Sequence, residues 1–280
     1  MATIFGLSFN LVVHKYSRLI LGVELLVAVV VWLAVTGVDN KFHLIACDVG
    51  QGDAILMVYG STEILIDGGP DRKVLDCLGR HMPFWDRTLE LVILTHPEKD
   101  HYGGLIDVFK RYKVDSFLYN DVPVISPDYQ VLESLVRGSV GRVLRPTKGQ
   151  HIRLGLMSLD ILAPDGGPKT ELNLYSIVTE ARFGNFSSLL TGDSQNFTFG
   201  EMHHVQYIKV PHHGSNNGLS RQLLSETKPD VAVISVGINN YGHPTPEILQ
   251  MLKDFGVKVF RTDQLGDFEV ISDGIQWRVQ

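Results

Sequence analysis

Cysteine is scarce: Cys47 and Cys77 are the only two in 280 residues. Two thiols are too few for the disulfide framework of a small secreted domain or for a cysteine-rich zinc site. Cys47 sits in an apolar run before Asp48 and reads as buried filler, so the expectation is two separate thiols, with a disulfide between them as the alternative. A basic excess is also missing, with 25 Lys and Arg against 31 Asp and Glu and a net charge of −6. Sequence-independent nucleic-acid binders usually carry a positive stripe. Any nucleic-acid contact must therefore come from a local patch or from a metal site. Low-complexity tracts, short-period repeats and a linker long enough to mark off a second large domain are absent, which excludes solenoids and disordered arrays.

What remains is the composition of a folded α/β protein. Hydrophobic residues make up 44% and charged residues 20%, enough for a sizeable core. The 27 glycines predict many tight turns.

The first long feature is apolar. Residues 19–38 carry a single charge, Glu24 near one end, and about 20 apolar residues suffice to cross a bilayer as a helix. Lys15 and Arg18 precede the run, so the positive-inside bias puts the N-terminus in the cytoplasm. The reading is a cytoplasmic segment at 1–18, a transmembrane anchor at 19–38 and an extracytoplasmic hydrolase domain at 40–280. A cleaved signal peptide is the alternative, but the run is long for one and no clean cleavage site follows.

After Asn40 the pattern turns to short β-rich runs at 42–48, 54–59 and 63–67, split by Gly-Gln-Gly and Gly-Ser turns. A helix over 73–80, a buried strand over 89–95, a helix over 102–112 and a strand over 114–119 follow. A helix over 127–137, strands within 143–162 and a hairpin of 175–183 with 187–191 come next. Strands near 205–210, 231–236, 257–261 and 268–272 then alternate with helices over 219–226 and 245–255.

Chemistry concentrates where strands end. Thr95-His96-Pro97-Glu98-Lys99-Asp100-His101-Tyr102-Gly103-Gly104 follows the strand over 89–95 directly and packs His96, Glu98, Asp100 and His101 into six residues. Ligands gather at strand ends in α/β proteins, and imidazole with carboxylate suits Zn, Mn or Fe. Leu190-Thr191-Gly192-Asp193 ends another strand with a carboxylate, Pro211-His212-His213-Gly214-Ser215 a third with paired imidazoles, and Asn240-Tyr241-Gly242-His243-Pro244 follows a fourth. One of these loops alone would be an ordinary polar turn; four together predict a metal centre.

The series His-x-Glu-x-Asp-His-x-Gly-Gly resembles the metallo-β-lactamase superfamily signature, with Glu98 at its middle histidine. Together with Asp48-Val49-Gly50-Gln51-Gly52-Asp53, Ile66-Asp67-Gly68-Gly69-Pro70 and the Asp193 and His212-His213 motifs, it resembles the extracytoplasmic hydrolase domains of ComEC-like competence proteins. The resemblance covers roughly residues 42–272. It implies a four-layer αβ/βα sandwich, with Asp67 holding the metal-binding loop. It also implies that His96, Asp100, His101, Asp193 and one of His212 or His213 line the metals, and that DNA is the substrate. Asp48 and Asp53 are expected to buttress the ligand loops.

Two divalent ions are expected. The shortage of imidazoles beside Glu98 favours Mn²⁺, with Zn²⁺ second. Two such ions would clamp a phosphodiester and supply a nucleophilic water. Asp100, Asp193 and His243 are the expected catalytic groups, with His243 open to ligation, leaving-group protonation or substrate binding. Lys209, Ser215 and Asn216 are expected near phosphate oxygens, and Asn173 and Ser176 as orienting residues. Relatives in that family carry many membrane spans, whereas one is visible here, so a separate DNA channel protein is an expected partner. Two rival readings stand beside the nuclease: a hydrolase of a small ester, lactone or phosphoester, and a non-catalytic module with a decayed site.

Overall fold

The computed structural model describes residues 16, 19–32, 39–165, 170–195 and 202–280. It divides into two units, 1–39 and 40–280. In the first, residues 19–32 form a helix, α1. Its apolar side chains, among them Leu19, Leu21, Leu25 and Leu26, are exposed. Among the described residues no helix is long and apolar enough to cross a membrane, and residues 33–38 of the expected anchor lie outside the described residues.

The second unit contains fifteen strands: β1 (Phe42–Ala46), β2 (Ile55–Tyr59), β3 (Thr62–Ile66), β4 (Thr88–Leu94), β5 (Lys113–Tyr119), β6 (Arg142–Leu144), β7 (His151–Leu154), β8 (Met157–Ala163), β9 (Val178–Phe183), β10 (Phe186–Leu190), β11 (Tyr207–Lys209), β12 (Val231–Ile234), β13 (Lys258–Arg261), β14 (Phe268–Ser272) and β15 (Trp277–Val279). One sheet has the order β15-β14-β1-β2-β3-β4-β5-β6 and the other β13-β12-β11-β10-β9-β8-β7. Each combines an antiparallel part with a parallel one. The run β3-β4-β5-β6 and the run β10-β11-β12-β13 are parallel.

Side-chain alternation decides which face each strand buries. On β2, Ile55 and Met57 join Phe42, Leu44, Ile64, Leu159, Phe186 and Val233 in a core between the sheets. Leu56 and Val58 point the other way, into a second core. That outer core is covered by α2 (Val74–His81), α4 (Leu105–Arg111) and α5 (Pro127–Ser139), with the single turn α3 (Lys99–Tyr102) between α2 and α4. On the far sheet, α6 (Arg221–Thr227) and α7 (Pro246–Asp254) cover Leu189, Ile208, Ala232 and Ile234. A short α8 (Thr262–Leu265) follows β13. The result is the expected αβ/βα sandwich. Pro at the first turn and a capping hydroxyl start α5 and α7: Ser126 accepts from the Tyr129 N–H and Thr245 from the Ile248 N–H.

The expectation of two separate thiols is overturned. Cys47 and Cys77 form a disulfide, with Cα atoms 5.8 Å apart. Residues 30 apart in sequence meet because α2 packs back over the end of β1, and both side chains belong to the same buried core.

Candidate metal centre

Parallel strands all point their carboxyl ends the same way, so the loops that leave them converge. Asp67 follows β3 and His96 follows β4; Asp193 follows β10, His212 and His213 follow β11, and Ser235 follows β12. The loops pack closely because of glycine. A Cβ on Gly104 would fall onto the carbonyl oxygen of Gly68, and one on Gly103 onto that of Pro70.

Asp67 organises the near side of the site. Its carboxylate accepts from the Thr95 N–H at 2.8 Å, from the Thr95 hydroxyl at 2.7 Å and from His101 Nδ1 at 2.8 Å. Having donated to Asp67, the Thr95 hydroxyl accepts from His96 Nδ1 at 3.1 Å. The far side uses a backbone acceptor, with His213 Nδ1 donating to the Ser235 carbonyl at 2.8 Å. One carboxylate, one hydroxyl and one carbonyl thus fix three imidazoles with the proton on Nδ1. The Nε2 of each is left turned inward, where a cation can take the place of a second proton. Those three Nε2 atoms and Asp193 Oδ2 are buried without a hydrogen-bond partner.

Asp193 Oδ2 lies 3.4 Å from His101 Nε2, 3.4 Å from His213 Nε2 and 3.8 Å from His212 Nε2. Asp100 Oδ2 is 3.3 Å from His213 Nε2 and 3.9 Å from His101 Nε2. One atom each from Asp100, His101, Asp193 and His213 falls within 4.8 Å of every other. His96 and Glu98 flank this set, Nε2 to Oε2 3.9 Å apart. Buried orphan donors of this kind, two imidazoles and two carboxylates around a common point, fit a divalent cation.

The electrostatics require positive charge at that point. Burial opposes ionisation of Asp193, yet His213, His101 and Lys209 hold its carboxyl well below the usual range. Burial likewise works against the His213 imidazolium, but Asp193 and Asp53 raise it to about 10. Asp193, Asp67 and Asp100 raise His101 well above its ordinary value in the same way. His96 goes the other way: burial and the neighbouring His101 push it down and leave a neutral imidazole.

Backbone strain marks the same loops. Among the described residues, four non-glycine residues take a positive φ, and Asp67 (61°), His212 (51°) and His213 (52°) are three of them. Such conformations cost about 1–3 kcal/mol each and persist where surrounding contacts impose them.

The remaining predicted residues separate by location. Asp53 is buried, paired with Lys209 and 3.5 Å from His213 Nδ1. Ser176 accepts from the Asp193 N–H at 3.2 Å, and Asn173 is buried with its Oδ1 unpartnered. Glu98, Asp100, Asp193, His212, His213 and His243 line an open cleft of about 320 Å³, joined by Gln51, Pro70, Lys99 and Tyr241. Lys209 requires correction. It is fully buried, and its ammonium contacts Asp53, the Gly192 carbonyl at 2.9 Å and Asp193 at 3.5 Å, so it braces the bridge between loops and does not reach the cleft. Ser215 and Asn216 do not line the cleft either, and Asn216 accepts from the Thr245 hydroxyl. Asp48 lies outside the cluster. Its carboxylate accepts from the Gly50 N–H at 3.2 Å, and its own N–H donates to Asp267. Three contributors went unrecognised in the sequence: Thr95, the Ser235 carbonyl and Tyr241. Backbone carbonyls leave no trace in residue type, but Thr95 and Tyr241 lie inside motifs already singled out.

A family model described as the metallo-beta-lactamase superfamily matches residues 47–238. The chain belongs to the metallo-β-lactamase superfamily. Its members' fold binds divalent metals, and the superfamily places this chain among metal-dependent hydrolases. Among curated relatives, the chain is 28% identical to ComE operon protein 3 of Bacillus subtilis over 79% of its length and 32% of that protein. It is 31% identical to Recombination protein 2 of Haemophilus influenzae over 80% of its length and 28% of that protein. The chain therefore spans about a third of the length of these relatives. The superfamily fold is also visible in solved structures. The metallo-beta-lactamase fold protein YhfI of Bacillus subtilis superposes with a TM-score of 0.60 at 14% identity, covering 82% of this chain and all of that one. Zn²⁺-bound PqqB of Methylobacterium extorquens superposes with a TM-score of 0.52 at 12% identity, covering 75% and 85%.

Proposed function

We propose that this chain is a metal-dependent phosphodiesterase that cuts DNA outside the cytoplasmic membrane. The observation that carries the reading is the convergence of Asp100, His101, Asp193 and His213 within 4.8 Å, three of them lining an open cleft. The printed name of one curated relative, Recombination protein 2, supports DNA as the substrate.

In this reading Asp100, His101, Asp193 and His213 would hold one divalent ion, and His96, Glu98 and His212 beside them would serve a second. Mn²⁺ is favoured over Zn²⁺ because Glu98 gives the second set an oxygen where an imidazole would be softer. Ions there supply Lewis acidity and a water acidic enough to act as nucleophile near neutral pH. The chain's own groups do the rest. Asp67 and the Ser235 carbonyl keep the His101 and His213 Nε2 atoms aimed inward, and Ser176 fixes the Asp193 loop. His243, at the mouth of the cleft with its ring 5.6 Å from that of His212, is placed to offer its imidazole N–H to the leaving oxygen.

Residues 19–38 serve as a membrane anchor in this reading, and DNA reaches the domain through a separate channel protein. The exposed apolar helix over 19–32 supports the anchor, and the Cys47–Cys77 disulfide supports an extracytoplasmic domain. Disulfides persist in oxidising compartments and are rare in the cytosol.

The test is cleavage of defined single- and double-stranded oligonucleotides by the purified chain with Mn²⁺, Zn²⁺ or chelator, beside a lactone and a simple phosphoester. Metal-dependent oligonucleotide cleavage that Asp100→Ala and Asp193→Ala each reduce at least 10³-fold, with the fold intact, is the expected result. Turnover of the small substrates alone would move the assignment to a small-molecule hydrolase.

A further inference from the structure

The loop between β12 and α7 is built more carefully than a surface loop needs. The Asn239 side chain ties it from inside, with Nδ2 donating to the carbonyls of Gly237 at 2.9 Å and His243 at 2.8 Å. Its Oδ1 accepts from the N–H groups of Tyr241 and His243 at 3.1 Å each. Four hydrogen bonds from one amide fix the backbone on both sides of Tyr241. What the loop presents is an aromatic ring left in water. Tyr241 is 75% exposed, although burying a tyrosine ring is favourable. One face of the ring lies on His243, centroids 5.8 Å apart and planes 28° apart. The rest of the ring is largely exposed, and both residues line the cleft that holds Asp100, Asp193 and His213. From the cluster outward the rings of His213, His212, His243 and Tyr241 follow one another at 6.2, 5.6 and 5.8 Å.

A rigid, exposed aromatic face beside a centre suited to phosphate oxygens matches a ligand with a flat π-system attached to a phosphate. Base–aromatic stacking is how proteins hold single strands without reading sequence, because every base offers a π-face. It requires an unpaired base, since a duplex hides its faces in the stack. We infer that Tyr241 is a stacking platform for an unpaired nucleobase next to the scissile phosphate, which makes a single-stranded region or a frayed end the substrate. The inference rests on the phosphodiesterase reading above. It also answers the missing basic stripe, because stacking recruits a strand without lysine or arginine.

The experiment measures KM and kcat of the full chain with Mn²⁺ on a single-stranded oligonucleotide and on the same strand with abasic residues at the cleavage position. Wild type, Tyr241→Ala and Tyr241→Trp are compared. Tyr241→Ala is expected to raise KM about tenfold on the base-bearing strand, with a much smaller change in kcat. Tyr241→Trp is expected to restore KM. The wild-type chain should itself lose about tenfold on the abasic strand, and the alanine penalty should largely vanish there. An alanine variant that handles both strands as wild type does overturns the inference and leaves the nuclease intact. A penalty of equal size on both strands also overturns it, because the ring then acts through the loop and not on a base. Failure of the wild-type chain to cut any oligonucleotide overturns the phosphodiesterase reading and this inference together.

Discussion

Glu63 is a buried carboxyl whose oxygens find no donor, set on β3 beside β4 and its Glu90. Burial, with Asp86 and Glu90 adding repulsion, pushes it up to about 8 from an ordinary 4.5. Between those values the folded chain holds a proton that the unfolded chain has released, so stability falls as pH rises through that window. Glu63→Gln carries no charge at any pH. It is expected to melt about 2–4 °C above wild type just past pH 8 and close to it near pH 4.5, measured by thermal unfolding at the two pH values. At the metal centre, Asp67 orients two imidazoles, directly and through Thr95. Asp67→Asn is expected to weaken divalent-ion affinity about 10–100-fold in a metal titration while the melting curve of the metal-free protein stays cooperative. Residue type and loop position made Asp100, His101 and Asp193 legible in the sequence. The choice between His212 and His213 was not, because adjacent residues at positive φ point in directions that no periodicity predicts. Lys209 was misread for a related reason: a strand-end lysine looks solvated until Asp53, from a distant loop, is found against it.

At the level of elements, hydrophobic alternation carried most of the fold. The strands at 42–46, 55–59, 62–66 and 88–94, the hairpin turning at Gly184-Asn185 and the Pro-capped helix at 246–254 all lie where period and turn residues put them. The one-turn α3 and the C-terminal edge strand β15 are too short to show a period. The disulfide escaped for another reason: pairing is set by where α2 packs, and two cysteines carry no pattern. Joining residues 30 apart, it is expected to contribute about 3–4 kcal/mol. Unfolding free energies from denaturant titrations of wild type and of the Cys47→Ala, Cys77→Ala double variant should differ by that amount, with a lower midpoint in the variant. An unchanged midpoint would show that the bond does not form.

For the whole molecule, two properties set the setting in which the site works. The net charge of −6 leaves little long-range attraction for a polyanion, so recruitment has to be local. On the proposed reading, a bound cation and the Tyr241 platform would supply that. The apolar run at 19–38 is expected to carry the full chain into the membrane fraction, while a chain of residues 40–280, a compact unit by itself, stays in solution. Fractionation of the two forms checks this, and a full-length chain that remains in solution would remove the anchor. The central claim is that carboxylates and imidazoles delivered by separate strand ends hold a catalytic cation. Its most direct test is the metal content of the purified chain by elemental analysis, wild type against Asp193→Ala. The account predicts one to two divalent ions per wild-type chain and fewer than about 0.2 in the variant, since Asp193 touches every ligand set. Equal metal content in the two proteins, or none in the wild type after exposure to Mn²⁺ and Zn²⁺, would contradict it.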